Sequence, residues 1–129
     1  MANPRTIARM QSRIRERAAY CLQFELNDPR SGMVTITRVE LAQDLKSGKI
    51  YYSTLGDQSD RNKCSAMLTS AAGFIQRQVA RVLETRTVPH LSFHYDESLE
   101  RASNMDRLIN EALQKDNEVR GPEPDEGLE

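Results

Sequence analysis

Cysteine is scarce in this chain. Cys21 and Cys64 are the only two among 129 residues, too few for a disulfide framework and without the spacing of metal ligands, which points to core thiols in a reducing compartment. No run of 18 apolar residues is present, so no segment has the makings of a membrane-spanning helix. The N-terminus lacks the apolar middle of a secretory signal, although "MANPRTIARMQSRIRERAAY", rich in Arg and poor in acid, imitates a mitochondrial transit peptide. There is no internal repeat, Gly-rich phosphate loop, nucleophile elbow or paired-carboxylate motif. Catalysis therefore has no candidate constellation and binding ranks above it, with no cofactor, metal or small-molecule substrate implied.

What is present is charge, unevenly distributed. Residues 1–95 hold 14 Lys and Arg against 8 Asp and Glu, a net +6, while residues 96–129 hold 4 against 11, a net −7, which together give the overall −1. A basic body followed by an acidic tail suits a polyanionic partner for the body. The length fits one domain that buries roughly two-thirds of its unfolded surface and folds without metal or disulfide.

Hydrophobic spacing sets the order of elements. Ile7, Met10, Ile14, Ala18 and Cys21 recur at steps of three and four, predicting an amphipathic helix over residues 5–26 that Pro29 terminates. "GMVTITRVEL" and "GKIYYSTL" predict strands over Met33–Leu41 and Lys49–Leu55, joined as a hairpin through "AQDLKSG". The apolar phase slips between Ile36 and Val39, as a bulge at Thr37 or Arg38 produces. From about Asp60 to Glu84, with Ser59 or Asp60 as cap, Cys64, Met67, Leu68, Ala71, Ala72, Ile75, Val79 and Val82 form a helical stripe across an interior Gly73. Because such a glycine costs a helix about 1 kcal/mol relative to Ala, a bend at Ala71-Ala72-Gly73 is expected, giving two helices that share a buried face. "HLSFHYD" alternates as a third strand, and Ser98 opens a last helix bearing Leu99, Met105, Leu108, Ile109, Ala112 and Leu113. Residues 115–129, acidic and rich in Pro and Gly, are expected to be a disordered tail on a domain of residues 1–114. The result is an α+β layer of helices on one small sheet.

His90 and His94 carry the i, i+4 spacing of helical metal ligands but fall on the third strand, where four residues span about 13 Å, too far for one ion. The arginines are better placed. Arg5, Arg9 and Arg13 lie opposite the apolar stripe of the first helix, with Arg15 and Arg17 on its flanks, and Arg77 and Arg81 are neighbours on the second long helix. Arg5, Arg9, Arg13, Arg77 and Arg81, with Arg30, Lys46, Lys49 and Arg86, are the candidate phosphate contacts, of the kind that set affinity and register without selecting sequence. A different possibility is a protein-interaction module whose acidic C-terminal region recruits a basic partner.

The segments "RTIARMQSRI", "NDPRSGMVTITRVEL", "DLKSGKIYYSTL", "AAGFIQR", "RTVPHLSFHYD" and "SLERASNMDRLINEAL", in this order from Arg5 to Leu113, resemble the bacterial ribosome-binding factor A proteins. The resemblance includes the first helix in the domain, which counts against a transit peptide. It implies a type II KH-like fold with a three-stranded mixed sheet covered on one face by helices, an Ala-x-Gly kink matched by Ala71 and Gly73, and a cytoplasmic, monomeric, non-catalytic factor. It also implies attachment to the small ribosomal subunit during maturation of its 16S RNA. KH domains ordinarily clamp single strands with a Gly-x-x-Gly loop, and no two glycines here stand three apart. The family usually places Arg directly after "GFI"; this chain has Gln76 there, followed by Arg77.

Overall fold

The structure, a computed structural model, describes residues 3–120. It divides into two compact units, Met1–Asp96 and Glu97–Glu129. In the first, helix α1 (Pro4–Tyr20) begins where the Asn3 side chain accepts the Arg5 N–H at 2.7 Å and Pro4 fills the first turn, an arrangement that satisfies one orphan donor and wastes none. The helix then widens into a π-helical turn, Cys21–Glu25, closed by the Leu26 N–H on the Cys21 carbonyl at 2.9 Å. Leu26 is extended, and the Asp28 side chain caps a 3-10 turn, Pro29–Met33. The first helical stretch thus ends as its spacing and Pro29 predict.

Strands β1 (Val34–Leu41) and β2 (Ser47–Thr54) pair antiparallel, and β3 (His90–Tyr95) joins β2 in parallel, giving the mixed order β1-β2-β3. Ile36 faces Tyr52 and Arg38 faces Tyr51, leaving Thr37 as the extra residue of the expected bulge. Because of it, Val34, Ile36 and Val39 all point inward. Together with Ile50, Tyr52 and Leu91 they meet Met10, Ile14, Ala18, Cys21 and Leu22 from the α1 segment. From helix α2 (Gln58–Leu83) come Cys64, Met67, Leu68, Ile75, Val79 and Leu83. One face of the sheet is covered and the other is open.

Two expectations for α2 change. Its cap is Asp57, not Ser59 or Asp60: the Asp57 carboxylate accepts the Asp60 N–H at 3.0 Å and the Asp60 carboxylate accepts the Asp57 N–H at 3.0 Å, a reciprocal box. Second, one unbroken α-helix of 26 residues runs where two meeting at Ala71-Ala72-Gly73 are expected. The buried stripe stays in phase through Gly73, which lies on the exposed side, and the helix continues through it.

Both outer strands hand a backbone donor to a helix. Gln11 of α1 accepts the Leu41 N–H at 3.0 Å. Gln76 of α2 accepts the Leu91 N–H at 2.9 Å while donating to the Pro89 carbonyl at 2.8 Å. Such contacts occupy groups that would otherwise template a further strand.

The second unit contains helix α3 (Ser98–Arg120), which continues past Gln114, where the sequence pattern ends it. Met105, Leu108, Ile109 and Leu113 are exposed along it. The remainder of the expected acidic tail, from residue 121 onward, lies outside the described residues.

Candidate nucleic-acid interface

Four arginines, Arg5, Arg9, Arg13 and Arg17, follow one another along α1 at intervals of four. In a helix this spacing stacks like charges, a repulsion of about 0.2–0.5 kcal/mol per pair. The structure relieves it at one end only. Arg17, whose side chain is 20 % exposed, forks onto Glu25 at 2.9 and 3.2 Å and donates to Gln78 of α2 at 2.9 Å. Its hydrogen bond, seconded by one from the Cys21 thiol, holds the Glu25 carboxyl below its ordinary range. Burial, then that bond to Glu25, pushes the Cys21 thiol up to about 12, so the thiol stays protonated and inert. Arg17 therefore ties α1, the π turn and α2 together.

Arg5, Arg9 and Arg13 are exposed and form no ion pair among the described residues. Arg77 and Arg81 are likewise exposed and unpaired on α2 among those residues. Of this set, Arg13 reaches the groove between the two helices: Arg13, Glu16, Arg17 and Tyr20 of α1 and Val82 of α2 line a shallow cleft of about 400 Å³. Arg81, beside Val82 in sequence, is close enough to Glu25 to help depress its pKa. Gly73, one turn before Arg77, presents bare backbone; a Cβ there would meet only the Arg77 Nη1, at 3.4 Å.

The other expected contacts lie elsewhere. Arg30 is locked in a fork with Asp28, both bonds at 3.0 Å, and the pair is neutral. Lys46 stands in the β1–β2 turn, its N–H on the Asp44 carboxylate. Lys49 projects from β2 on the open face of the sheet, opposite the helices. Arg86 is exposed in the segment after α2. On that open face Arg38 stacks on Tyr51 at 3.8 Å and pairs with Glu40, and the His94 Nε2 lies 2.8 Å from the Ser92 hydroxyl. No metal-ligand cluster is found among the described residues, and no helix among them is long and apolar enough to cross a membrane.

Gln76, standing where the resemblance leads one to expect Arg, faces inward and grips the start of β3. Its amide is committed to the fold. The sequence pattern also passes over Tyr20 and Phe24. They are 50 % and 65 % exposed with ring centroids 4.9 Å apart, and Tyr20 lies beside the Arg17 guanidinium, 5.4 Å from its ring centre. Two aromatics four apart at the end of an arginine ridge, in a chain with four Tyr, three Phe and no Trp, are the signal that could have flagged them.

A mixed three-stranded sheet with two helices on one face, and arginines along the outer side of those helices, defines a KH-like α+β module with a basic helical surface. A family model described as Ribosome-binding factor A matches residues 6–109. The ribosome-binding factor A of Marinomonas sp. (strain MWYL1) is 39 % identical over 119 residues, covering 90 % of this chain and 92 % of that protein. The solution structure of a Thermotoga maritima protein, 31 % identical, superposes with a TM-score of 0.65 over 76 % of this chain and 93 % of its own. Coordinates of the Thermus thermophilus ribosome binding factor A fitted into a cryo-EM map of a 30S complex of that protein give 0.57 at 22 % identity, covering 70 % and 96 %. The chain belongs to the ribosome-binding factor A family.

Proposed function

We propose that this protein is a non-catalytic assembly factor, monomeric and cytoplasmic, that binds the free small ribosomal subunit and assists maturation of its 16S RNA by docking on structured RNA. The observation that carries this reading is the row Arg5, Arg9 and Arg13, free of ion pairs among the described residues, with Arg77 and Arg81 on the neighbouring helix. A helix that accumulates like charge without neutralising it gains when phosphates supply the counter-charge. Membership of a family named for ribosome binding, and the Thermus relative's fit in a 30S map, support the choice of partner. Arg30, Lys46, Lys49 and Arg86 are secondary contacts in this proposal. Arg30 must exchange Asp28 for phosphate, and Lys49 requires RNA that also reaches the open sheet face.

The test is charge reversal. Replacing Arg5, Arg9 and Arg13 together by Glu should abolish co-sedimentation with small subunits at physiological salt. Replacing them by Gln should reduce the salt slope of log K by about 0.9 for each phosphate no longer neutralised. Unchanged co-sedimentation of the Glu variant overturns the proposal.

A further inference from the structure

Tyr20 and Phe24 form an exposed aromatic platform, and we propose that it stacks an unpaired nucleobase of the bound RNA, with Arg13 and Arg81 holding the adjoining phosphates. This deepens the RNA-docking reading and rests on it.

The platform is built locally. In a regular α-helix residues 20 and 24 sit about 40° apart around the axis. Here the chain widens into the π-helical turn Cys21–Glu25 between them, and π turns of this kind are frequent at functional sites. The two rings meet at 4.9 Å with a 50° tilt, leaving both half or more exposed. The turn is anchored beneath them. Cys21 and Leu22 are buried in the core, Arg17 bonds Glu25 and Gln78, and its guanidinium lies against the Tyr20 ring. Little conformational entropy remains to be given up when a flat ligand arrives.

The surroundings choose the ligand. The cleft beside Tyr20, at about 400 Å³, is at the lower end of the range for small-ligand sites, roughly 300–1,000 Å³. Arg13 and Arg17 stand at it, and Arg81 lies near enough to Glu25 to act on its carboxylate. Glu16 also lines the cleft, and Glu25 is already engaged by Arg17. Arg13 and Arg81 form no ion pair among the described residues and continue the α1 and α2 arginines. Exposed aromatics interleaved with arginine are what single-stranded RNA requires, since every base offers a π-face and every linkage a phosphate.

The chain contains no Trp, so Phe24→Trp supplies a sole reporter in the full-length protein. Titration with single-stranded hexaadenylate should quench it, and an abasic oligomer of equal length and charge should not. On purified small subunits, Tyr20→Ala and Phe24→Ala should each weaken binding about 5- to 100-fold and leave the salt slope unchanged, with Phe24→Leu failing to restore it. Melting temperatures near that of the parent protein establish that these surface variants fold. Equal quenching by abasic and adenylate oligomers, or none by either, overturns the inference. So does full rescue by Phe24→Leu, the outcome expected if an apolar protein surface docks here. Parent-like subunit binding by both Ala variants, while the Arg5/Arg9/Arg13 reversal abolishes it, sinks the platform alone. Insensitivity of all of them removes the RNA-docking reading itself.

Discussion

Gly73→Ala separates what the helix needs from what its partner needs. Gly73 sits on the exposed side of an unbroken α2, its φ is not positive, and an added methyl would meet only the far end of the Arg77 side chain, at 3.4 Å. Nothing in the folded protein resists the substitution. Alanine should therefore stabilise by close to the full difference in helix propensity, about 0.8–1.0 kcal/mol, reduced slightly if Arg77 must shift. For a cooperative unit of this size that corresponds to a rise in Tm of roughly 4–8 °C. Thermal unfolding followed at 222 nm, or the urea midpoint at constant m, measures it. If glycine has been retained so that RNA backbone can approach between Arg77 and the helix, the same variant should bind small subunits more weakly while being more stable. A lower Tm would refute the reasoning, because it would mean that the helix is strained at position 73 and requires glycine for its own geometry.

Other variants test other parts of the fold. Gln76→Ala removes the acceptor for the Leu91 N–H and the donor to the Pro89 carbonyl, and should cost about 1–3 kcal/mol by urea unfolding, with amide exchange rising first along β3. Gly56 has φ +99°, and a side chain there would run into the Asp60 carboxyl that completes the capping box; Gly56→Ala should destabilise by about 1–3 kcal/mol, and a neutral result would dissolve that account. Native Cys21 and Cys64, buried with thiol pKa values raised, should react with a thiol reagent only as fast as the protein unfolds. Glu25 has its pKa lowered by the bonds from Arg17 and Cys21, so its contribution is present above its unfolded pKa and is lost as pH falls through the lower, folded one. Melting curves should show Glu25→Gln less stable than the parent near neutral pH, with the gap closing in acid below the ordinary carboxylate range.

Local pattern decided most of the architecture. Apolar steps of three and four placed α1 and α2, β-branched and aromatic runs between turn formers placed β1 and β2, and alternation placed β3, because helix and strand each bury one face. A slipped phase put a bulge at Thr37 or Arg38, and the strand pairing selects Thr37. Local chemistry was less decisive. Asp57, Ser59 and Asp60 are all competent caps, and only the reciprocal bonding of Asp57 with Asp60 selects among them. A glycine within a helical stripe costs the helix the same whether it faces the core, a bend or water, so the sequence could not show that Gly73 lies outward on an unbroken helix.

Charge was the property least legible in one dimension. Arg13 and Arg17 occupy the same row of the same helix, yet Arg13 is left to solvent and Arg17 is consumed by Glu25 and by Gln78, a residue 61 positions away. Arg30 and Lys49 carry the same formal charge as Arg9, but one is neutralised by Asp28 and the other points from the opposite face of the sheet. The sequence by itself determined the order of helices and strands and that the body is basic, since both follow from composition and near-neighbour spacing. Which arginines remain unpaired, and which aromatics stand beside them, was decided only when folding brought α2 against α1, because ion pairing and exposure depend on neighbours that the chain order does not supply.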